Sequence, residues 1–226
     1  MESALRRRFT LRATLFLLFS PLIIATTHAD TISLASVGTE ADPHQTNTNG
    51  ITIAIAPNGL WAPALPGSSW VSFGLTGNPS TRGFHVVTNG TVVSFIDVFN
   101  LSGTPEGGTL SVMADDSAGV LLNGLFLINE GSRTGNQYLR CSDFGIGCVK
   151  PTIINLPGAD LHTGLNTLEF EVAQRHGVSY GLDYAGSVDE LVATPELSSV
   201  SLTAFGLMML AGLVYLRKRE VGAQSA

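Results

Sequence analysis

The chain has 226 residues, of which 44% are hydrophobic and 13% charged, with 25 Gly, 10 Pro, two Cys and a formal net charge of −6. That apolar content fills one core, and roughly 165 residues remain for a single domain once both ends are set aside. The sparse charge and abundant Gly and Pro point away from a helical enzyme and toward strands and turns. Between Asp30 and Glu196 stand 16 acidic residues against five basic ones, about −11, which argues against a nucleic-acid partner.

In chain order, Met1 to Ala29 reads as a signal peptide. Arg6, Arg7, Arg8 and Arg12 form a positive front, and Ala13 to Ala25 is a charge-free run of 13 residues, the length of a signal core and short for a membrane span. Thr27 and Ala29 place the signal-peptidase cut after Ala29, leaving Asp30 first. An uncleaved anchor helix is the alternative, and Pro21 breaks it.

The middle predicts a mainly β ectodomain over residues 30–190. Thr52-Ile53-Ala54-Ile55, Thr91 to Phe95, Thr109 to Val112 and Thr167 to Val172 alternate apolar and polar residues as half-buried strands do. In the last run Leu168, Phe170 and Val172 face inward while Glu169 and Glu171 meet water. Asn123-Gly124 lies between two apolar triplets and predicts a two-residue hairpin turn. With no repeated period, an antiparallel two-sheet sandwich buries one face of each strand.

The run Ala114-Asp115-Asp116-Ser117-Ala118-Gly119-Val120-Leu121-Leu122-Asn123-Gly124, followed later by Leu161 to Phe170 with its Gly164-Leu165-Asn166-Thr167-Leu168, resembles galactose-binding-like jelly rolls over roughly Ile51 to Tyr184. The resemblance implies a jelly-roll-like fold and supports it better than any ligand.

Candidate sites have competing readings. Asp115, Asp116 and Asn123 offer hard oxygen ligands to a calcium cofactor; a solvated turn is the plainer reading, since no Asp-rich loop has the required spacing. Trp61 and Trp70, with Tyr138 and Phe144, offer either a platform for sugar rings or core packing. Cys141 and Cys148 enclose six residues and are expected to form a disulfide after export. Gly177-Val178-Ser179-Tyr180-Gly181, beside His176, fits a nucleophile-elbow pattern, but the following residues read as a strand where the elbow needs a helix, and no His follows. His44, His85 and His162 lack ligand spacing. Asp97 with Asp116, or Glu169 with Glu171, would suit an acid and base pair only at a set distance, and solvated faces are their default reading.

Residues 191–226 form a tail. Leu197 to Leu216 is an uncharged run of 20 residues, about 30 Å long as a helix, and Arg217, Lys218 and Arg219 follow at once. Cations stay cytoplasmic, so the middle of the chain would lie outside. A core helix is the alternative, but it would show a polar face.

The series Ala193-Thr194-Pro195-Glu196-Leu197-Ser198-Ser199, the hydrophobic run and the basic cluster resemble the PEP-CTERM sorting signal of exopolysaccharide-producing bacteria. Leu197 stands where that family has a second Pro. The resemblance implies export across the inner membrane, anchoring in membrane lipid by 197–216, cutting near Pro195 and Glu196 by an exosortase-type protease, and delivery to the cell surface or extracellular matrix. Three readings follow: an ectodomain that binds or associates with exopolysaccharide, a structural or adhesive surface protein without a small ligand, and a serine hydrolase. The chain is expected not to be an enzyme.

Overall fold

A computed structural model of the chain describes residues 26–130, 141, 145–175, 177–194 and 197–223. Its strands are β1 (Thr26–Ala35), β2 (Gln45–Asn47), β3 (Gly50–Ile51), β4 (Ile53–Ala54), β5 (Val71–Ser72), β6 (Val92–Leu101), β7 (Thr104–Asp115), β8 (Ser117–Leu122), β9 (Leu125–Ile128), β10 (Thr152–Pro157), β11 (Gly164–Ala173) and β12 (Gly181–Thr194). A 3-10 turn covers Gly158–Asp160, and helix α1 covers Leu197–Ala223. By internal contact the chain divides into Ala29–Val192 and a second unit of Met1–His28 with Ala193–Ala226.

The first unit is an antiparallel β-sandwich. One sheet runs β10-β7-β12-β5-β4 with β1 also on β12, and the other runs β3-β2-β6-β11-β8-β9. Alternation explains the layering. Leu168, Phe170 and Val172 of β11 are fully buried, while Glu169 and Glu171 between them are half-buried. Phe170 stacks on Tyr184 of β12 at 4.4 Å between ring centroids, joining the inner faces of the two sheets. On β7, Leu110, Val112 and Ala114 enter the same core, and Met113 points to the other face of its sheet.

That other face is also covered. Met113 packs with Ile55, Trp61, Trp70 and the Cys141–Cys148 disulfide. Trp61 and Trp70 are 8% and 1% exposed, with ring centroids 4.3 Å apart, so these two indoles fill a second small core and are not a surface platform. Tyr138 and Phe144 lie outside the described residues.

Three sequence expectations change in detail. The expected strand Thr52 to Ile55 is shortened to Ile53–Ala54, which is β4 in one sheet, while the residues before it, Gly50–Ile51, form β3 in the other. Thr52 makes the crossing buried: its N–H donates to Thr39 Oγ1, and its hydroxyl meets Asn47 Nδ2 at 3.0 Å. Asp97 and Asp116, expected on solvated faces, are buried. Strand β1 begins at Thr26, so Thr26 to Ala29, the end of the expected signal, belong to a strand. The hydrophobic signal core lies outside the described residues.

Candidate functional site

The chain crosses from one sheet to the other at Asp115-Asp116, between the end of β7 and the start of β8. The neighbouring ends of β11 and β12 meet it there. Asp116 N–H donates to Ala173 O at 3.3 Å, and Arg175 N–H donates to Asp116 Oδ2 at 2.7 Å. Asp115 shares the outer face of β7 with Met113, and the Trp61 indole N–H donates to its Oδ2 at 2.7 Å. Burial, then the adjoining Asp116, hold the Asp115 carboxyl well above the usual aspartate range, against the Trp61 bond. Arg175 is ion-paired with Glu130, whose Oε1 also accepts the Ser117 hydroxyl at 2.7 Å.

Asp115 has the two cysteine sulfurs within 4.8 Å, a grouping that resembles a metal-ligand set. Both sulfurs are spent in the disulfide and are not thiolate ligands.

Asn123 is elsewhere. It closes the β8–β9 hairpin with φ 51°, followed by Gly124 at 81°, as the turn requires. That turn is at the far end of β8 from Asp116, about 20 Å along the strand. Its amide donates to Asp160 O and Asn166 Oδ1, and its oxygen accepts Thr167 N–H at 2.9 Å. Asn166 donates in turn to His162 O and Gly164 O. The Asn-Gly and Gly-x-Asn-x-Leu segments are therefore two halves of one network fastening a turn. Asn123 does not share a ligand set with Asp115 and Asp116.

Ser179 is buried, and Asn58 Nδ2 donates to its hydroxyl at 2.7 Å. Two residues on, the chain enters β12 instead of the helix that an elbow needs. His176 lies outside the described residues. Asp97 accepts the Tyr184 hydroxyl at 2.7 Å, and burial raises the pKa of both groups.

No family model and no curated protein matches this chain. Among solved structures it is similar to a family 35 carbohydrate-binding module from Clostridium thermocellum, with 12% identity, 69% of this chain and 97% of the module covered, and a TM-score of 0.36. An α-L-rhamnosidase from Streptomyces avermitilis, complexed with L-rhamnose, matches at 28% identity over 62% of this chain and 12% of the enzyme, with a TM-score of 0.34. A GH2 β-galacturonidase from Eisenbergiella tayi, bound to galacturonate, matches at 15% identity over 74% of this chain and 25% of the enzyme, with a TM-score of 0.33. Scores of this size carry no argument for the chain.

At the other end of the sequence, Pro195 and Glu196 lie outside the described residues. Helix α1 takes in Arg217, Lys218 and Arg219, and Arg217 is exposed. Its described side chains are 203–215 and 217, and among the described residues no helix is long and apolar enough to cross a membrane. Phe205, Leu207, Met208, Met209, Leu213 and Val214 are all more than half exposed.

Sequence reasoning missed Gln174. The inward parity of β11 runs Leu168, Phe170, Val172 and then Gln174, so a polar residue standing at a core position was the available signal. Asp183 and the Glu130–Arg175 pair are equally unannounced, because their partners are remote in the chain.

Proposed function

We propose that this chain is an exported bacterial surface or matrix protein, held in the membrane by its C-terminal helix and sorted by a PEP-CTERM-like signal, whose sandwich, wound as a jelly roll, associates with exopolysaccharide. The observation that carries the reading is the uncharged run Leu197 to Leu216, ended by three cations, inside a continuous 27-residue helix. The 20-residue run matches the hydrocarbon thickness. Apolar groups exposed on every side suit lipid better than water. The disulfide supports an oxidising destination.

Cutting after Ala29 would leave Asp30 to Ala35 as the remainder of β1. Cutting near Glu196 would release the sandwich whole, because β12 ends at Thr194.

Mass spectrometry of the protein recovered from cells and medium tests the sorting. Termini at Asp30 and near Glu196 are expected, and a cytosolic product with both ends intact would sink the reading. Retention of the processed protein on the producer's own exopolysaccharide tests the ligand. Silence across a glycan panel would remove the polysaccharide and leave a structural or adhesive surface protein.

A further inference from the structure

Strand β1 (Thr26–Ala35) lies along β12 (Gly181–Thr194), and two bonds set their register. Ser36 N–H, the first after β1, donates to Tyr184 O at 2.9 Å, and the Thr31 hydroxyl donates to Asp189 Oδ1 at 2.7 Å. The two contacts are equally spaced on both strands, with the numbering running opposite ways, so the strands are antiparallel and pair without a slip between them. The same register carried to the ends sets Thr26 opposite Thr194 and Thr27 opposite Ala193. Thr26 is where β1 begins and Thr194 is where β12 stops, and all four residues belong to one compact unit.

On its other side β12 has less support there. Its ladder with β7 ends at Leu191–Thr104, where β7 begins. Val192, Ala193 and Thr194 therefore lie beyond β7 and are held from the β1 side. What stands on that side is the stretch that a cut after Ala29 takes away. Thr27, His28 and Ala29 are exposed, as is Ala193, so this end of the pair is held by its ladder and not by core packing. A protease takes its substrate as an extended strand whose backbone groups bond to the enzyme, and backbone already bonded within a sheet is not available for that.

We infer that the two ends are processed in a fixed order: Thr26 to Ala29 shield the approach to the C-terminal cut by pairing with the end of β12, and the N-terminal cut unmasks it. The inference rests on the sorting reading above. Hydrolysis of the Ala29–Asp30 amide by signal peptidase takes up one water and leaves a carboxylate on Ala29 and an amine on Asp30. Once the short segment has gone, Val192, Ala193 and Thr194 become an unpaired run directly ahead of Pro195 and Glu196, and the second protease can bind them. A chain that keeps its N-terminal segment stays anchored, and release is confined to chains already cut at the front.

The test follows both termini of the full chain by pulse-chase labelling and mass spectrometry in cells that carry out both cuts. In the wild type, no product that retains Met1 and has lost its C-terminal tail is expected at any time. Thr27→Leu with Ala29→Leu puts large side chains where signal peptidase needs small ones, at exposed positions that a strand accepts. This variant should keep its N-terminus and slow the C-terminal cut about tenfold or more, the factor that a few backbone hydrogen bonds supply when cleavage goes through an opened state. A second variant adds Thr26→Pro and His28→Pro. Ser36 N–H donates to β12, so the even-numbered N–H groups of β1 face that strand, and proline removes two of them. With the N-terminus still uncut, the C-terminal cut should return to within about twofold of the wild-type rate. A wild-type rate in the first variant overturns the order. No recovery in the second overturns it as well, by assigning the delay to the retained N-terminal segment and not to strand pairing. A wild type that is never cut near Glu196 is a separate result, which removes the sorting reading itself and this order with it.

Discussion

Asp115 carries its carboxyl on the outer face of β7, between the Trp61 indole and the Asp116 carboxylate. Its pKa is raised in the folded chain, so the folded form holds a proton over a range where the unfolded chain, near 3.8, has lost it. The stabilisation is complete below that ordinary value and is lost as pH rises through the folded one. Burial raises Asp97 and Asp183 in the same direction, so the three act together. Asparagine at 115 copies the neutral acid at every pH, its oxygen accepting from Trp61 and its amide donating toward Asp116. Asp115→Asn should melt above the wild type by a margin that opens as pH rises above about 4 and vanishes below about pH 3.5. Parallel pH profiles for the two proteins would show that Asp115 titrates normally. The disulfide offers a second measurement at this scale: Cys148→Ser opens an eight-residue ring and should cost about 2–3 kcal/mol in urea unfolding, with reductant lowering the wild type to match.

Strand β11 stands between β6 and β8, and its inward residues are the middle of the core. Phe170→Ala removes the ring stacked on Tyr184 and should cost about 3–5 kcal/mol by denaturant unfolding. Glu169→Gln, on the half-buried face, should change stability by less than about 0.5 kcal/mol. Equal losses at the two positions would mean the inner and outer faces had been assigned wrongly. β11 was legible because its charged residues fall on one parity and its apolar residues on the other, and the β8–β9 turn was legible because Asn-Gly suits two positive φ angles. Of β12 only the residues just after Gly181 were legible as a strand, since the element as a whole breaks alternation with buried polar groups. Glu190, for example, is buried because Ser102 Oγ and Gly103 N–H donate to it at 2.9 and 2.6 Å. Asp183 is likewise buried beneath donors from Ser36, Ser68 and Leu65. Partners so remote in the chain leave no local pattern. The acidic pair of the candidate site was visible for the same reason in reverse, as adjacent residues, whereas its convergence with Ala173 and Arg175 exists only after β8 and β11 have paired.

At the scale of the whole molecule, two kinds of apolar surface are built into one chain. The sandwich packs two apolar cores between and behind its sheets and leaves only scattered residues such as Leu60, Ile153 and Leu165 exposed, while α1 leaves its own exposed along all its described length. That contrast separates a membrane helix from a core helix by experiment. Leu207 is 67% exposed and near the middle of the uncharged run, so Leu207→Arg removes no packing seen in the fold. A cation at mid-membrane, replacing a favourable Leu, opposes insertion by about 3 kcal/mol. Cells making Leu207→Arg should therefore lose carbonate-resistant membrane association of the full-length chain, with the near-ultraviolet spectrum and Tm of the sandwich unchanged. Arg217→Lys, which keeps the cation, should leave association intact. A helix packed inside a globule would answer differently. Leu207→Arg would then lower Tm while fractionation stayed the same, and the anchoring on which export and sorting depend would have to be given up.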